Sequence, residues 1–122
     1  MKIQNKNLSN VDLHFDKSEI HILGPELELW QCNVFFNTRS RDVIFAGLVM
    51  RNGRFEVAGP FVNFHFENVH FDGVEFHGEF CGCDFGDWDS IEKSSINNCD
   101  FSEAKLDGCR FLNCDFRVQN VE

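Results

Sequence analysis

Large apolar side chains recur at every fifth position in the second half of this chain. A helix would place them three and four residues apart, and a strand would alternate strictly, so neither regular element explains this period. We expect each five-residue unit to be a short extended stretch followed by a corner. Four units would close a square coil of about 20 residues, and stacked coils would pair their edges at the sheet spacing of about 4.8 Å.

The extended stretch of each unit predicts which side chains form the core. A small residue points inward, a polar residue points outward and a large apolar residue points inward, as in Cys99-Asp100-Phe101. The sequence holds 15 Phe and no Tyr, which favours a dry interior because a buried phenol oxygen needs a hydrogen-bond partner. The expected core residues are Phe61, Phe66, Phe71, Phe76, Phe80, Phe85, Ile91, Ile96, Phe101, Leu106, Phe111 and Phe116, with Cys83, Cys99, Cys109 and Cys114 at the small positions.

Four successive units carry a recognisable motif of a small residue, Asp or another polar residue, and Phe or Leu, followed by two further residues. They run from Cys99-Asp100-Phe101-Ser102-Glu103 through the units that begin at Ala104, Cys109 and Cys114. This pattern resembles the pentapeptide-repeat family, strongly over residues 61–121 and weakly before them. The resemblance implies an all-β fold, the family's right-handed quadrilateral β-helix, with about five to six coils and an irregular N-terminal half.

A 20-residue coil predicts which residues stack on one another. Phe76 would lie on Ile96 and Phe116, and Phe71 on Ile91 and Phe111. Phe80 and Phe85 lie one residue before the positions that the five-residue repeat predicts, and the residues match those positions again only from Ile91. The segment Gly86-Asp87-Trp88-Asp89-Ser90 therefore holds an extra residue, which we expect to project from the column as a bulge or bent corner.

The first half follows the repeat less well. One series of large apolar residues runs through Ile20, Trp30, Phe35, Phe45, Met50 and Phe55, and residues 37–41 are predicted to form an exposed loop. We interpret residues 1–60 as degenerate coils that continue the solenoid, and a small cap of ordinary strands is the alternative. No low-complexity linker separates the halves, so a single domain over residues 1–122 is expected.

Both ends of a solenoid need a cover, because an open end exposes apolar side chains and unpaired strand edges. Residues 1–20 could cover one end. The resemblance implies a possible homodimer through the C-terminal coil at the other. No apolar run approaches the roughly 20 residues of a membrane span, and the first seven residues lack the apolar core of a secretory signal. We therefore expect a cytoplasmic protein without a membrane partner.

The charge is distributed unevenly between the halves. The formal net charge is −9, and residues 61–122 hold 13 acidic against four basic residues, whereas the charges of residues 1–60 cancel. This balance argues against direct nucleic-acid binding and favours a basic protein partner, although acidic residues also simply keep a rod soluble. The candidate partner-binding residues are Asp72, Asp87, Trp88, Asp89, Glu92 and Asp107, and the coil length of 20 predicts that Asp72 lies beside Glu92.

Catalytic and metal-binding patterns are weak. The Cys residues fall mostly at inward positions, where Cys packs as a compact hydrophobe, and His65, His70 and His77 are expected to point outward on different sides. No Ser-His-Asp set, phosphate-binding loop or H-E-x-x-H helix occurs. We expect no enzyme activity, no metal and no cofactor.

Three functions remain open. The first is a non-catalytic module that binds and neutralises a toxin, as some small proteins of the family do as immunity proteins. Its partner would be a basic toxin or a nucleic-acid-handling enzyme, met through an acidic face. The second is a DNA-mimicking rod that protects DNA gyrase, which longer, similar proteins do, although six coils give a rod of only about 29 Å. The third is a scaffold or assembly domain.

Overall fold

The computed structural model describes residues 2–86, 94–112 and 115–119, with Leu112 and the last five described through their main chain. Nearly all of this chain is strand. The strands are β1 (Lys2–Ile3), β2 (Lys6–Ser9), β3 (Asp12–Phe15), β4 (His21–Leu23), β5 (Leu27–Phe36), β6 (Val43–Phe45), β7 (Leu48–Val57), β8 (Phe61–Val62), β9 (His65–Phe66), β10 (Val69–Cys81), β11 (Asp84–Gly86), β12 (Ser95–Asp107), β13 (Arg110–Leu112) and β14 (Asp115–Gln119). A 3-10 turn, Ser40–Asp42, precedes β6.

The strands stack in parallel as a β-solenoid, which confirms the predicted fold class. One sheet has the strand order β14-β12-β10-β7-β5-β2, and two three-stranded sheets have the orders β1-β4-β6 and β13-β11-β9. Each strand pairs with the strands of the coils before and after it, and the chain turns between faces at corners. A side chain therefore points either into the column or onto one of its outer faces.

The first half consists of coils and not of a separate cap. β2 and β3 pair with β5, β5 pairs with β7, and β7 of the first half pairs with β10 of the second. The expected cover at residues 1–20 is wrong, because residues 2–15 are themselves the strands of the first coil. Ile3, Leu8 and Leu13 of that coil are only partly buried.

On the sheet formed by β2, β5, β7 and β10, successive coils of the first half are offset by 21 residues, one more than predicted. Leu8 pairs with Leu29, Leu29 with Met50, and Met50 with Phe71. Residues at one corner of the column recur with the same spacing, and their backbone lies in the left-handed region. Their φ angles are 56° at Asn10, 53° at Gln31, 54° at Asn52 and 70° at Gly73. Asn and Gly tolerate this conformation best, and the column of such residues marks where every coil turns.

This spacing changes which large side chains of the first half point inward, compared with a count by fives. Trp30 is 43 % exposed and Phe35 is only half-buried, whereas their neighbours Leu29 and Val34 are buried. Ile20 is 56 % exposed. The predicted exposed loop at residues 37–41 is also partly wrong, because Thr38 and Ser40 are buried.

Later coils differ again in length, so the predicted stacks are wrong in part. Phe71 pairs with Ile96, 25 residues on, and the Phe76 ring stacks on Phe101 with centroids 4.5 Å apart, so Phe76 does not lie on Ile96. Ile96 and Phe116, also predicted to be neighbours, do pair in register between β12 and β14. The partners expected at Ile91, and the insertion at residues 87–90, lie outside the described residues.

The interior is a continuous stack of Phe rings. The buried residues include Phe61, Phe66, Phe71, Phe76, Phe80, Phe85, Ile96, Phe101, Cys83 and Cys99, all with no exposed surface. Leu106, Cys109 and Phe111 are partly buried and pack against this core. Ile91 and Cys114 lie outside the described residues, as does the side chain of Phe116. The first half contributes Cys32, whose thiol donates to the Leu8 and Trp30 carbonyl oxygens.

Candidate interaction surfaces

The predicted partner-binding residues do not form one surface in the part of the chain that the structure describes. Asp72 lies outward on β10, in the ladder Trp30–Arg51–Asp72–Asn97. Asp107 ends β12 on another face, where it pairs with Cys81. Asp87, Trp88, Asp89 and Glu92 lie outside the described residues. No single binding face containing Asp72 and Asp107 therefore follows from the structure.

Asp72 is neutralised by its neighbours and is not part of an acidic ladder. Its Oδ2 lies 3.7 Å from Arg51 Nη1, and Asn98 Nδ2 donates to its Oδ1 at 3.4 Å. The Arg51 guanidinium also lies 5.3 Å from the centre of the exposed Trp30 ring, a cation–π distance. The expected neighbour Glu92 is replaced in register by Asn97, because the coil at this point is 25 residues long.

Asp84 is the most tightly held carboxylate among the described residues. Its side chain is 4 % exposed and lies in a ladder between His65 on β9 and Arg110 on β13. Arg110 donates from Nε at 2.9 Å and from Nη2 at 3.1 Å, and His65 Nδ1 lies 3.2 Å from Oδ2. A two-pronged guanidinium contact of this kind fixes both partners, so this cluster joins three coils and leaves no carboxylate oxygen facing a substrate.

Acidic side chains gather instead on the outer face formed by the second part of β7, β10 and β12. We name Glu56, Glu75, Asp100 and Glu103 the acidic face. Glu75 pairs in register with Asp100, and His77 lies between Glu56 and Glu103. Arg54 is the basic residue of this surface, with Nη1 3.5 Å from Glu56 Oε1. Glu75 and Glu103 are exposed, which leaves this face predominantly negative.

Sequence reasoning missed the acidic face because it used the wrong coil length. Glu56 follows the core residue Phe55, Glu75 precedes Phe76 and Asp100 precedes Phe101, so each flanks an inward ring of one stack. The signal that could have found the face is the left-handed corner at Asn52, Gly73 and Asn98, which gives the true offsets between coils.

The thiols of Cys83 and Cys99 are not activated. Burial raises the pKa of the Cys83 thiol to about 12 and that of Cys99 to about 11. Nucleophilic and metal-binding Cys residues need a depressed pKa, so these thiols serve packing. Among the described residues, no group of three or more His, Cys, Asp or Glu side chains is placed to hold a metal ion.

Two open grooves follow the corners of the column. The larger, of about 580 Å³, is lined by the corner residues Asn5, Glu26, Gly47 and Asn68 together with His70. The second, of about 500 Å³, lies between β6 and β9 and contains the exposed side chains of Ile44 and Val62. Open grooves on the wall of a rod suit contacts with another macromolecule better than enclosure of a small substrate.

Comparison with known proteins agrees with this architecture. The family model for pentapeptide repeats (8 copies) matches residues 92–117, the segment that contains β12 and β13. Residues 92–117 carry pentapeptide repeats. No curated protein and no solved structure gave a match to the chain. Among the described residues, no helix has the length and hydrophobicity that crossing a membrane requires.

Pentapeptide-repeat solenoids are generally non-catalytic structural or binding modules, and the repeat fold of this chain suggests a protein-interaction module. The faces described above are consistent with that role. Each is a stack of short parallel strands, whose main chain is anchored by the buried residues that alternate with the outward ones.

Proposed function

We propose that this protein is a non-catalytic binding module that neutralises a basic protein partner, in the manner of an immunity protein against a toxin. The acidic face is the observation that carries the proposal. Glu56, Glu75, Asp100 and Glu103 lie on adjacent strands, and all but Glu56 belong to residues 61–122, which carry the whole net charge of −9. Such a surface attracts a positively charged active site and speeds association through long-range electrostatics.

Rigidity supports an inhibitory role. Side chains at Phe55, Phe76 and Phe101, directly behind the acidic face, are fully buried and stack from coil to coil. The main chain that carries these carboxylates is therefore fixed before the partner arrives, and little main-chain conformational entropy is lost on binding.

The test compares two charge-reversal variants with the same net charge. Glu75→Lys/Glu103→Lys changes the acidic face, and Glu26→Lys/Glu28→Lys changes a different face by the same four units. Each protein is used to capture partners from the native cell, and the captured protein is then purified for titration calorimetry at several salt concentrations. We expect the first variant to bind at least tenfold more weakly with a flatter salt dependence, and the second to bind like the native protein.

Toxin neutralisation is tested with the captured partner itself. If expression of that partner stops growth of a susceptible host, co-expression of the native protein restores growth and co-expression of Glu75→Lys/Glu103→Lys does not. Equal affinities of the two variants would reject the acidic face as the binding site, and a partner without toxicity would reject the immunity role.

Gyrase protection is the competing outcome. A single rod of about 29 Å matches only roughly eight base pairs at 3.4 Å each, which is short for a DNA mimic. Protection of gyrase supercoiling from a fluoroquinolone would replace the immunity role with DNA mimicry, and no effect in either assay would leave a scaffold. A homodimer through the C-terminal coil would double the rod, and the mass in solution decides whether it forms.

A further inference from the structure

Isoleucine side chains gather on the outer wall of β4 and β6. Ile22 of β4 and Ile44 of β6 pair in register at outward positions, and Ile44 is 48 % exposed. Ile20, directly before β4, is 56 % exposed. We name Ile20, Ile22 and Ile44 the aliphatic stripe. Apolar side chains that collect on one wall of a protein mark a contact surface.

Two charges of opposite sign lie on either side of the stripe. Arg41 belongs to the 3-10 turn before β6, and Glu67 follows β9 in the next coil. Both are exposed, and neither forms an ion pair within the described chain. One side of a coil separates them, about five residues or roughly 16 Å, so they are too far apart to pair within one molecule.

These charges lie at similar distances from the line of the stripe. Ile44 and His65 are at equivalent positions of two coils, because each precedes one of the rings of Phe45 and Phe66, whose centroids lie 5.8 Å apart. Arg41 comes three residues before Ile44, and Glu67 comes two residues after His65. The wall therefore has an apolar centre with a positive charge on one side and a negative charge on the other.

A second copy of this chain complements such a wall. When two rods lie side by side about a two-fold axis in their contact plane, residues on the axis meet their own copies, and residues on its two sides meet each other. An axis along the rod over Ile22 and Ile44 places each isoleucine on the same residue of the other copy. Arg41 of each copy then meets Glu67 of the other, so the ion pair forms twice.

The other charges of this wall do not oppose the contact. Lys2 pairs in register with Ile22 but belongs to the first coil, at the end of the rod, where its long side chain can turn into solvent. His65 is held by Asp84, with Nδ1 3.2 Å from Oδ2.

We propose that the aliphatic stripe is the contact surface of a homodimer in which two rods lie side by side about an axis along Ile22 and Ile44. The isoleucines form the apolar centre, and the two Arg41–Glu67 pairs form the polar rim. The wall of a short rod makes a small interface, so we expect monomer and dimer to exchange at micromolar concentrations. The acidic face lies on another wall, and this dimer does not depend on the proposed immunity role.

Exchange of the two charges tests the contact. Sedimentation equilibrium measures the dissociation constant, but the mass alone does not distinguish this dimer from one through the C-terminal coil, so variants decide. Arg41→Glu places like charges at both pairs and should weaken dimerisation about tenfold. Arg41→Glu/Glu67→Arg exchanges the charges and should restore the native constant. Arg54→Glu makes the same charge change on the acidic face and should have no effect.

A single cysteine tests the axis. Because a residue on a two-fold axis meets its own copy, Ile44→Cys should give a disulfide-linked dimer when the protein is oxidised with copper phenanthroline. Val49→Cys, on another wall, and the native protein should give none. Melting temperatures of all variants, followed by circular dichroism, confirm that they fold.

The acidic-face variant Glu75→Lys/Glu103→Lys should dimerise like the native protein, so failure of the proposed function leaves this test intact. A native protein that stays monomeric up to sub-millimolar concentration would overturn the side-by-side dimer. So would a dimer that Arg41→Glu does not weaken, a double variant as weak as Arg41→Glu, or the absence of the Ile44→Cys cross-link.

Discussion

Replacement of Phe55 by Ala tests whether the Phe stack holds the coils together. Phe55 has no exposed surface, and its ring lies 5.0 Å from Phe36 and 5.3 Å from Phe76, in the coils before and after its own. Truncation of a buried Phe leaves a cavity and costs about 3–5 kcal/mol. Because domains of this size are stable by only about 5–15 kcal/mol, we expect a large fraction of the stability to be lost.

Urea unfolding followed by circular dichroism measures this loss. With a typical dependence on urea, a change of this size lowers the midpoint by about 2 M, and the melting temperature falls by about 12–20 °C. If Phe55→Ala does not fold, Phe55→Leu keeps most of the volume and should cost about 1–2 kcal/mol.

Phe35 provides the matched control. It lies on the adjacent strand β5, pairs in register with Glu56, and points outward with its ring 5.7 Å from His14. We expect Phe35→Ala to cost less than about 1 kcal/mol, since half-buried surface positions tolerate substitution. The two residues belong to one series in a count by fives, so equal losses for Phe35→Ala and Phe55→Ala would refute the 21-residue coil.

Two further predictions concern close packing and burial. Gly53→Ala should cost about 2–4 kcal/mol, because Gly53 has φ +128° and a Cβ there would overlap the Cys32 carbonyl oxygen. Gly59 has no heavy atom within 4 Å of a Cβ built there, so Gly59→Ala should change the free energy of unfolding by no more than about 0.5 kcal/mol. For the thiols, burial raises the pKa of Cys83 to about 12 and of Cys99 to about 11, above the ordinary value of 9.0. The unfolded chain therefore loses these protons first, and the free energy of unfolding should fall as pH rises from 9 towards 11. A Cys83→Ala/Cys99→Ala protein should show a shallower fall over the same range, and an unchanged slope would contradict the assignment.

The sequence predicted the architecture because a period of five fits neither helix nor strand. It also placed the rings of residues 61–85 and 101 at positions where the structure buries them. What it could not supply was the register between coils, because main-chain pairing between neighbouring coils sets which residues face one another. A corner can hold one extra residue, as at Asn10, Gln31 and Asn52, without disturbing the stack above it.

The candidate surfaces depend on that register and were therefore harder to predict. Successive side chains of a strand point to opposite faces, so a one-residue error in the spacing exchanges the inward and outward positions. This is why the count by fives places Trp30 and Phe35 in one series with the buried Phe55. A coil length that was five residues too short gave Asp72 the neighbour Glu92. In the structure Asp72 pairs with Asn97, so the predicted Asp72–Glu92 pair is wrong.

The corner column of Asn10, Gln31, Asn52 and Gly73 shows how the length of such a rod can change by whole coils. Since each coil meets only the coils directly above and below it, adding or removing a whole 21-residue unit changes the height of the rod by about 4.8 Å. Removal of one unit removes one strand from each sheet and leaves the remaining strands in register. Length in such a molecule is thus a countable quantity, like the number of steps in a staircase.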